Sequence, residues 1–562
     1  AAVNESGKKL YLEKILSACL DMDNEDFDLI TLHGCWARER HITPHKVTEG
    51  KHTVSSLRGE TSHHMQPFMA LTTNGTSQTE GSVYAMNFVY SGNFIAQTEL
   101  DHRESVRMSL GINPDGFEWV LNPGEQFEAP GRLIYSAQGL GKMTRTFHDL
   151  YKNHLIRSKY LHSKRPILIN NWEATYFDFD DDKLVAIAAE AKKLGIEMLV
   201  MDDGWLENAA MTNAPWETGQ VNETKLRGGL KSLVDRVNAE GLKFGIWFEP
   251  EMNRLFDLYR AHPDWAIQIP GRPINMARHQ YVLDLTRQEI VDYAYECVAR
   301  VIRSANIEYV KWDMNRPLSD VAAQPWTANT WENSITATYL AYTRCRKDSS
   351  GNSPTFFWKT APAEADASIP AADYSPQIWT SDDMDPIERL SIQEETALLY
   401  PLSSMGAHIC VCPNHSVGRI TPMETRASTL AGTFGYELDI TKLTEEEKQK
   451  PLQFNRDYHK YNDLIREGDY YRIASYRENS LYDCWQVTDK DQTRTLVTYI
   501  QVRYETERKS RRLKLSGLDP KARYRLEQTG ELYSGEMLMN AGYLQPMLFG
   551  DYRSILLYFT KE

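Results

Sequence analysis

The stretch 309-YVKWDMNR-316 puts charge where a core strand should end. Successive side chains of a strand face opposite ways, so Lys311, Asp313 and Asn315 share one face, while Val310, Trp312 and Met314 share the other. A cation two residues from an acid on one face lowers the acid's pKa and keeps it ionised, which makes Asp313 a candidate nucleophile. A second carboxyl group, Asp382, stands in 376-PQIWTSDD-383 beside the apolar Ile378 and Trp379. Dry surroundings there would raise its pKa and leave it protonated, fit to act as a general acid. One ionised and one protonated carboxyl across a bond is what glycosidic cleavage requires.

Two such groups need a scaffold that brings strand ends together. From residue 165 onward, apolar runs alternate with amphipathic helices, the pattern of a parallel α/β sheet. Strands are predicted over 166–172, 197–205, 242–251, 281–285, 307–315, 354–358, 376–383 and 404–409, and eight of them suggest a closed (β/α)8 TIM barrel. Between the first two, 181-DDKLVAIAAEAKKLG-195 reads as a helix capped by Asp181 or Asp182 and stopped at Gly195. The barrel strands end in Trp172 and Glu173, Asp202 and Asp203, Trp247 and Glu249, Lys311 and Asp313, and Asp382 and Asp383. Any one of these carboxylates is explained as a helix cap; a ring of them on one rim points to a site. A divalent metal would want clustered oxygen ligands, often with His, and no such His spacing accompanies them. The expectation is therefore no metal and no cofactor.

The flanks read differently. Short alternating runs broken by Gly, Asn and Pro fill residues 1–138 and predict a β-sandwich, joined by a helical linker over 139–164 to a barrel over 165–471. Residues 472–562 return to short strands and turns, a smaller all-β sandwich. A chain of 562 residues with a formal charge of -14 carries no basic stripe for a nucleic acid. It has no apolar run of 18 residues and no basic-then-apolar start, so neither a membrane span nor a signal peptide is expected. The seven cysteines are scattered without a CxxC pair and read as mostly reduced and buried. Together these features predict a cytoplasmic protein, or a secreted one if a leader upstream of Ala1 has been removed.

Longer motifs carry a resemblance. INNWEATYFDF at 169–179, MDDGW at 201–205, FGIWFEPEM at 244–252, KWDMNR at 311–316, PQIWTSDD at 376–383 and GTFGYELDITKL at 432–443 resemble, in order and along nearly the whole chain, the α-galactosidases of glycoside hydrolase family 36. The resemblance implies a retaining exo-α-galactosidase that releases terminal α-linked galactose from oligosaccharides such as melibiose, raffinose and stachyose. Asp313 matches the family's nucleophile and Asp382 its acid/base. Asp202 and Asp203 match acceptors of the sugar hydroxyls, while Trp172, Trp247, Arg278, Lys311 and Asn315 match positions lining the same subsite. It also implies a homo-oligomer, a tetramer in the family, and an N-terminal β-sandwich that this chain enters partway.

The sequence departs from the family in three places. Thr360 and Ala363 stand where a Cys and a Gly shape the sugar pocket, so added Cβ atoms should crowd that wall. His279 replaces an Asn, and 206–225 keeps its length but loses most family residues. Two alternatives therefore stand beside hydrolysis: an α-galactosyl transferase of the raffinose-synthase kind, and a galactoside-binding protein whose catalysis has lapsed.

Overall fold

The structure, a computed structural model, describes residues 1–59, 61, 63–90, 92–129, 131–156, 160–206, 221–250, 252–253, 256–269, 271–276, 280–285, 287–315, 357–361, 376–428, 432–507 and 510–562. At its centre lies a parallel sheet in the order Phe357–Ala361, Tyr309–Asp313, Lys243–Phe248, Met198–Met201, Leu168–Asn170, Thr433–Glu437 and Gly406–Cys410. One further stave is reduced to an isolated parallel bridge between Ile378 and Met405. These positions make the eight staves of a (β/α)8 barrel.

Two predicted strands are corrected. The run 281–285 does not enter the barrel: Tyr281–Val282 pairs antiparallel with Met252–Asn253, and Lys243–Phe248 pairs directly with Tyr309–Asp313. The missing stave is Thr433–Glu437, a short run interrupted by Gly435. The strand expected over 376–383 survives only as the Ile378 bridge.

Alternation along each strand sorts the layers. Ile169, Leu199, Ile246 and Val310 belong to the core that also holds Leu184, Leu233, Val237 and Val298 of the surrounding helices. The opposite faces carry Leu168, Met198, Val200 and Tyr309, which form their own cluster. Gly245 permits this: a Cβ there would stand 2.7 Å from the Tyr309 ring. Two residues further along their strands come Asn170, Asp202, Trp247 and Lys311, so polar groups sit one layer above an apolar plug. The helix after the first strand starts one residue earlier than expected, because Asp180 rather than Asp181 or Asp182 accepts from Lys183 N at 2.8 Å. Asp181 is buried instead under Arg227 and Arg236.

The N-terminal part has a six-stranded antiparallel sheet facing a three-stranded one. Their shared core includes Phe27, Met69, Met86, Phe88, Phe94 and Met108. The far face of the larger sheet packs against the linker helix Leu140–Leu150 and against Leu398–Tyr400 of the barrel. The C-terminal part is a six-stranded antiparallel sheet starting at Asp469, with the pair Arg512–Leu513 and Tyr543–Leu544 beside it. One face of that sheet closes over Leu513, Leu518, Leu538 and Tyr543; the other lays Tyr470, Trp485, Leu496 and Ile500 against Ile387, Leu390 and Leu402 of the barrel. Of the described cysteines, Cys297, Cys410 and Cys484 are buried, Cys35 is half-buried, and Cys19 and Cys412 are exposed.

A carboxyl pair crosses the second junction. Glu394 of the barrel helix Pro386–Ala397 and Asp483 of the C-terminal sheet are both buried and hydrogen-bond one another. Such a bond forms only while one of them keeps its proton. Arg472 lies 2.9 Å from Glu394, which also accepts from Ser475 Oγ at 2.8 Å, and Asp483 accepts from Tyr476 N at 3.0 Å. Burial, then the Glu394 charge, pushes the Asp483 pKa well above the usual carboxylate range. A carboxyl group with a raised folded-state pKa stabilises fully below its unfolded value and loses that contribution as pH rises through the folded one. Asp483→Asn should therefore flatten the loss of stability that the parent shows on going from acid to alkaline pH, read as the urea midpoint between about pH 5 and pH 9. A parent and variant with parallel pH curves would exclude the shared proton.

Candidate active site

Asp313 ends its strand with its carboxyl group buried. Oδ2 accepts from Trp247 Nε1 at 2.9 Å, and Oδ1 accepts from Met314 N at 3.0 Å. Trp247 is fixed in turn because its carbonyl accepts from Trp205 Nε1 at 3.0 Å. Burial pushes the Asp313 pKa up; Lys311 opposes this, the Glu249 and Asp382 charges add to it, and the Trp247 bond opposes it. The expected lowering by Lys311 is thus real but outweighed. Asp382 is thus near enough for its charge to act on the Asp313 carboxyl group.

Lys311 has a closer partner than the sequence indicated. Its Nζ donates to Asp202 Oδ2 at 2.6 Å and lies 4.7 Å from the centre of the Trp379 ring. Burial works against the ammonium, but the charges of Asp202, Asp313, Glu437 and Asp382 hold its pKa above the ordinary lysine value. Asp202 also accepts from Asn170 Nδ2 at 2.5 Å and from Asp203 N at 2.9 Å. Its carboxylate therefore serves here to hold Lys311. Asn315, buried, donates from N and Nδ2 to Glu249 Oε1 at 2.9 and 2.8 Å.

Asp382 is not in the dry pocket inferred from Ile378 and Trp379. It is half-buried, and its Oδ2 accepts from Trp36 Nε1 at 2.9 Å. The apolar neighbours turn elsewhere: Ile378 bridges Met405, and Trp379 stacks edgewise on His408 and underlies Lys311. Burial instead raises the pKa of Asp313 and of Glu173. Glu173, at the end of the first barrel strand, has its pKa pushed up to about 8 by burial and by the Asp382 and Asp383 charges. Asp383 is also buried, and burial pushes its pKa up to about 6.

Trp36 belongs to the N-terminal sheet, where the sequence showed no catalytic motif. It projects from the hairpin joining Asp28–Cys35 to Arg38–Ile42. Gly34 allows the tight turn, since a Cβ there would meet Arg38 O at 2.1 Å. The buried Arg40 donates to Thr396 Oγ1 at 2.9 Å and to Thr380 O at 2.8 Å, and the buried Glu39 bonds Ser381. Three successive contacts thus register the hairpin against 380–382. A solvent-facing Trp in a glycine turn, 34-GCWARER-40, was the available signal.

Of the remaining expected site residues, Trp172 is half-buried at the rim, with its ring edge-on to Tyr176 and Phe177. Asp203 is buried beside Asp202. Arg278, His279, Ala363 and residues 207–220 of the 206–225 loop lie outside the described residues, as does the Thr360 side chain. Among the described residues no cluster of three or more His, Cys, Asp or Glu is placed to hold a metal ion. The arrangement offers an inner carboxyl group braced by an indole and an ammonium, with an outer carboxyl group open to solvent. That pair suits attack at one carbon and proton transfer at the atom leaving it.

Comparison with known proteins identifies the family. Residues 126–468 match the Melibiase family, 1–122 the glycosyl hydrolase family 36 N-terminal domain and 482–559 its C-terminal domain. Alpha-galactosidase AgaA of Geobacillus stearothermophilus is 41% identical over 557 residues, 98% of this chain and 76% of AgaA. A crystal structure of an AgaA variant in complex with raffinose superposes with a TM-score of 0.94 at 39% identity, covering all of this chain and 78% of that one. Another variant of it, in complex with stachyose, gives a TM-score of 0.93 at 39% identity over the same shares.

The Lys311–Asp202 pair generates a prediction. Lys311→Met strands the buried Asp202 and should cost about 3–5 kcal/mol in urea unfolding. Lys311→Met with Asp202→Asn should recover part of that loss. A single variant as stable as the parent would remove the pair from the account.

Proposed function

The chain belongs to glycosyl hydrolase family 36, and from that premise we propose that this α-galactosidase uses Asp313 as nucleophile and Asp382 as acid/base on raffinose- and stachyose-like oligosaccharides, and on melibiose. The observation that carries the assignment is the buried Asp313 carboxyl group, held by Trp247 and flanked by Lys311, with Asp382 near enough for its charge to act on it. The raffinose and stachyose complexes of AgaA variants support the substrate class.

In the first step an Asp313 oxygen forms a bond to the anomeric carbon while the glycosidic bond breaks. Asp382 gives its proton to the departing oxygen, so the rest of the oligosaccharide leaves as a neutral alcohol. In the second, Asp382 takes a proton from water, whose oxygen bonds the same carbon and displaces Asp313 as a carboxylate. Two inversions retain the anomeric configuration, and the proton count closes.

Trp247 and Lys311 face the group that must leave as an anion, where charge-assisted bonds are strongest. Asp382 stands half-buried at the rim, where an alcohol leaves and water enters in each turnover. The first step requires a neutral Asp382 and an ionised Asp313.

Azide rescue of Asp313→Ala and Asp382→Ala, followed by NMR of the product, tests the roles. Asp313→Ala should yield β-galactosyl azide, because azide replaces the nucleophile in a single inversion. Asp382→Ala should yield α-galactosyl azide, because azide replaces water in the second step. The same anomer from both variants would overturn the assignment.

A further inference from the structure

Glu249 plays neither of those roles, yet it is buried just past the end of the strand Lys243–Phe248 with three N–H donors aimed at it. Oε1 accepts from Asn315 N at 2.9 Å and from Asn315 Nδ2 at 2.8 Å; Oε2 accepts from Gln280 Nε2 at 2.8 Å. Its strand also supplies Trp247, whose indole donates to Asp313 Oδ2 at 2.9 Å. Asp313 is thereby gripped twice from the neighbouring stave, once at its carboxyl group and once at the residue two places after it.

Resting on the reading of Asp313 as nucleophile, we propose that Glu249 is a positioning residue. It pins Asn315, and with it the chain following Asp313, so that the nucleophile keeps one orientation toward the anomeric carbon. The same carboxylate ties in Gln280, so three separate segments of the barrel rim meet on one side chain.

The chemistry of the donor set explains why this position is an acid. Three N–H groups need acceptors, and a carboxylate has two acceptor oxygens, whereas an amide has one and turns two N–H groups of its own into the site. The charge has a second consequence. The groups facing Asp313 are Lys311 from its own strand, Glu249 and Trp247 from the preceding stave, and Asp382 from the rim. Lys311 is itself engaged by Asp202 and faces Glu437. Within that set the Glu249 charge pushes the Asp313 pKa up, so its removal must move the pKa down.

The test uses Glu249→Gln, Glu249→Ala and Gln280→Ala in the full chain, with nitrophenyl α-galactoside as substrate. Glu249→Gln keeps an acceptor for Asn315 but loses the charge and the second oxygen. It should lower kcat about 10- to 100-fold, the effect expected when a reacting group is displaced by about 1 Å. Because ionised Asp313 governs the acidic limb of kcat/KM, that limb should move to lower pH in Glu249→Gln. A side chain that only stabilised the fold would lower the urea midpoint and leave kcat per folded enzyme at the parental value. Glu249→Ala combined with Asn315→Ala should lose no more than the worse single variant, since both act through one contact.

Gln280→Ala keeps the charge and one anchoring interaction fewer, so it should lower kcat several-fold with the limb unmoved; it keeps the test open if the Glu249 variants fail to fold. Parental kcat in Glu249→Gln, or an acidic limb that stays or rises, would overturn the proposal. Asp313→Ala in the same series separates the two questions. If it retains activity, the nucleophile reading fails whatever Glu249 does.

Discussion

A carboxylate moved out of water must find donors or a cation, and the mouth of this barrel buries several within reach of one another. Asp202 is answered by Lys311, Asn170 and the Asp203 N–H. Glu249 is answered by Asn315 and Gln280. Asp313 receives an indole N–H and one main-chain N–H, and its burial is compensated less completely, as its raised pKa records. The charge balance of the pocket thus turns on Lys311, whose ammonium faces Asp202, Asp313, Glu437 and Asp382 together. The short bond to Asp202 holds that ammonium in place beside Asp313.

The second carboxyl group follows another logic. Asp382 sits on the stave that survives only as a bridge, so the strand ladder does little to fix it. The N-terminal hairpin supplies the missing constraint through Arg40, Glu39 and Trp36 on three successive residues, 380–382. A buried guanidinium is costly unless its donors are used, and Arg40 uses them on the barrel, so the docking is specific in register. The β-sandwich therefore reaches the rim of the candidate site: the ladder holds the inner carboxyl group, and the neighbouring domain the outer one.

Much of this was legible in the chain. The period of two put Lys311, Asp313 and Asn315 on one face, and the rule that barrel sites occupy strand ends collected the carboxylates. What failed was inference from sequence neighbours. Ile378 and Trp379 suggested a dry Asp382, but Ile378 bridges Met405 and Trp379 packs against His408 and Lys311, and burial acts instead on Asp313. Lys311 was assigned to the acid two residues away, while its shortest contact is 109 residues back in Asp202. The run 281–285 has the apolar content of a core strand and serves a side hairpin, whereas 433-TFGYE-437 has two charge-poor aromatics around a glycine and forms a full stave. Trp36 lies 346 residues from its partner, a distance no local pattern spans.

The central claim is that, among the carboxyl groups gathered at this rim, Asp313 is the one that bonds the anomeric carbon. Incubation with 5-fluoro-α-galactosyl fluoride, whose electron-poor ring slows release of a glycosyl-enzyme, followed by peptide mass spectrometry, reads this directly. The account predicts one sugar ester per chain, on the peptide spanning Asp313 and on that side chain. An ester on Asp202, Glu249 or Asp382 instead would contradict it.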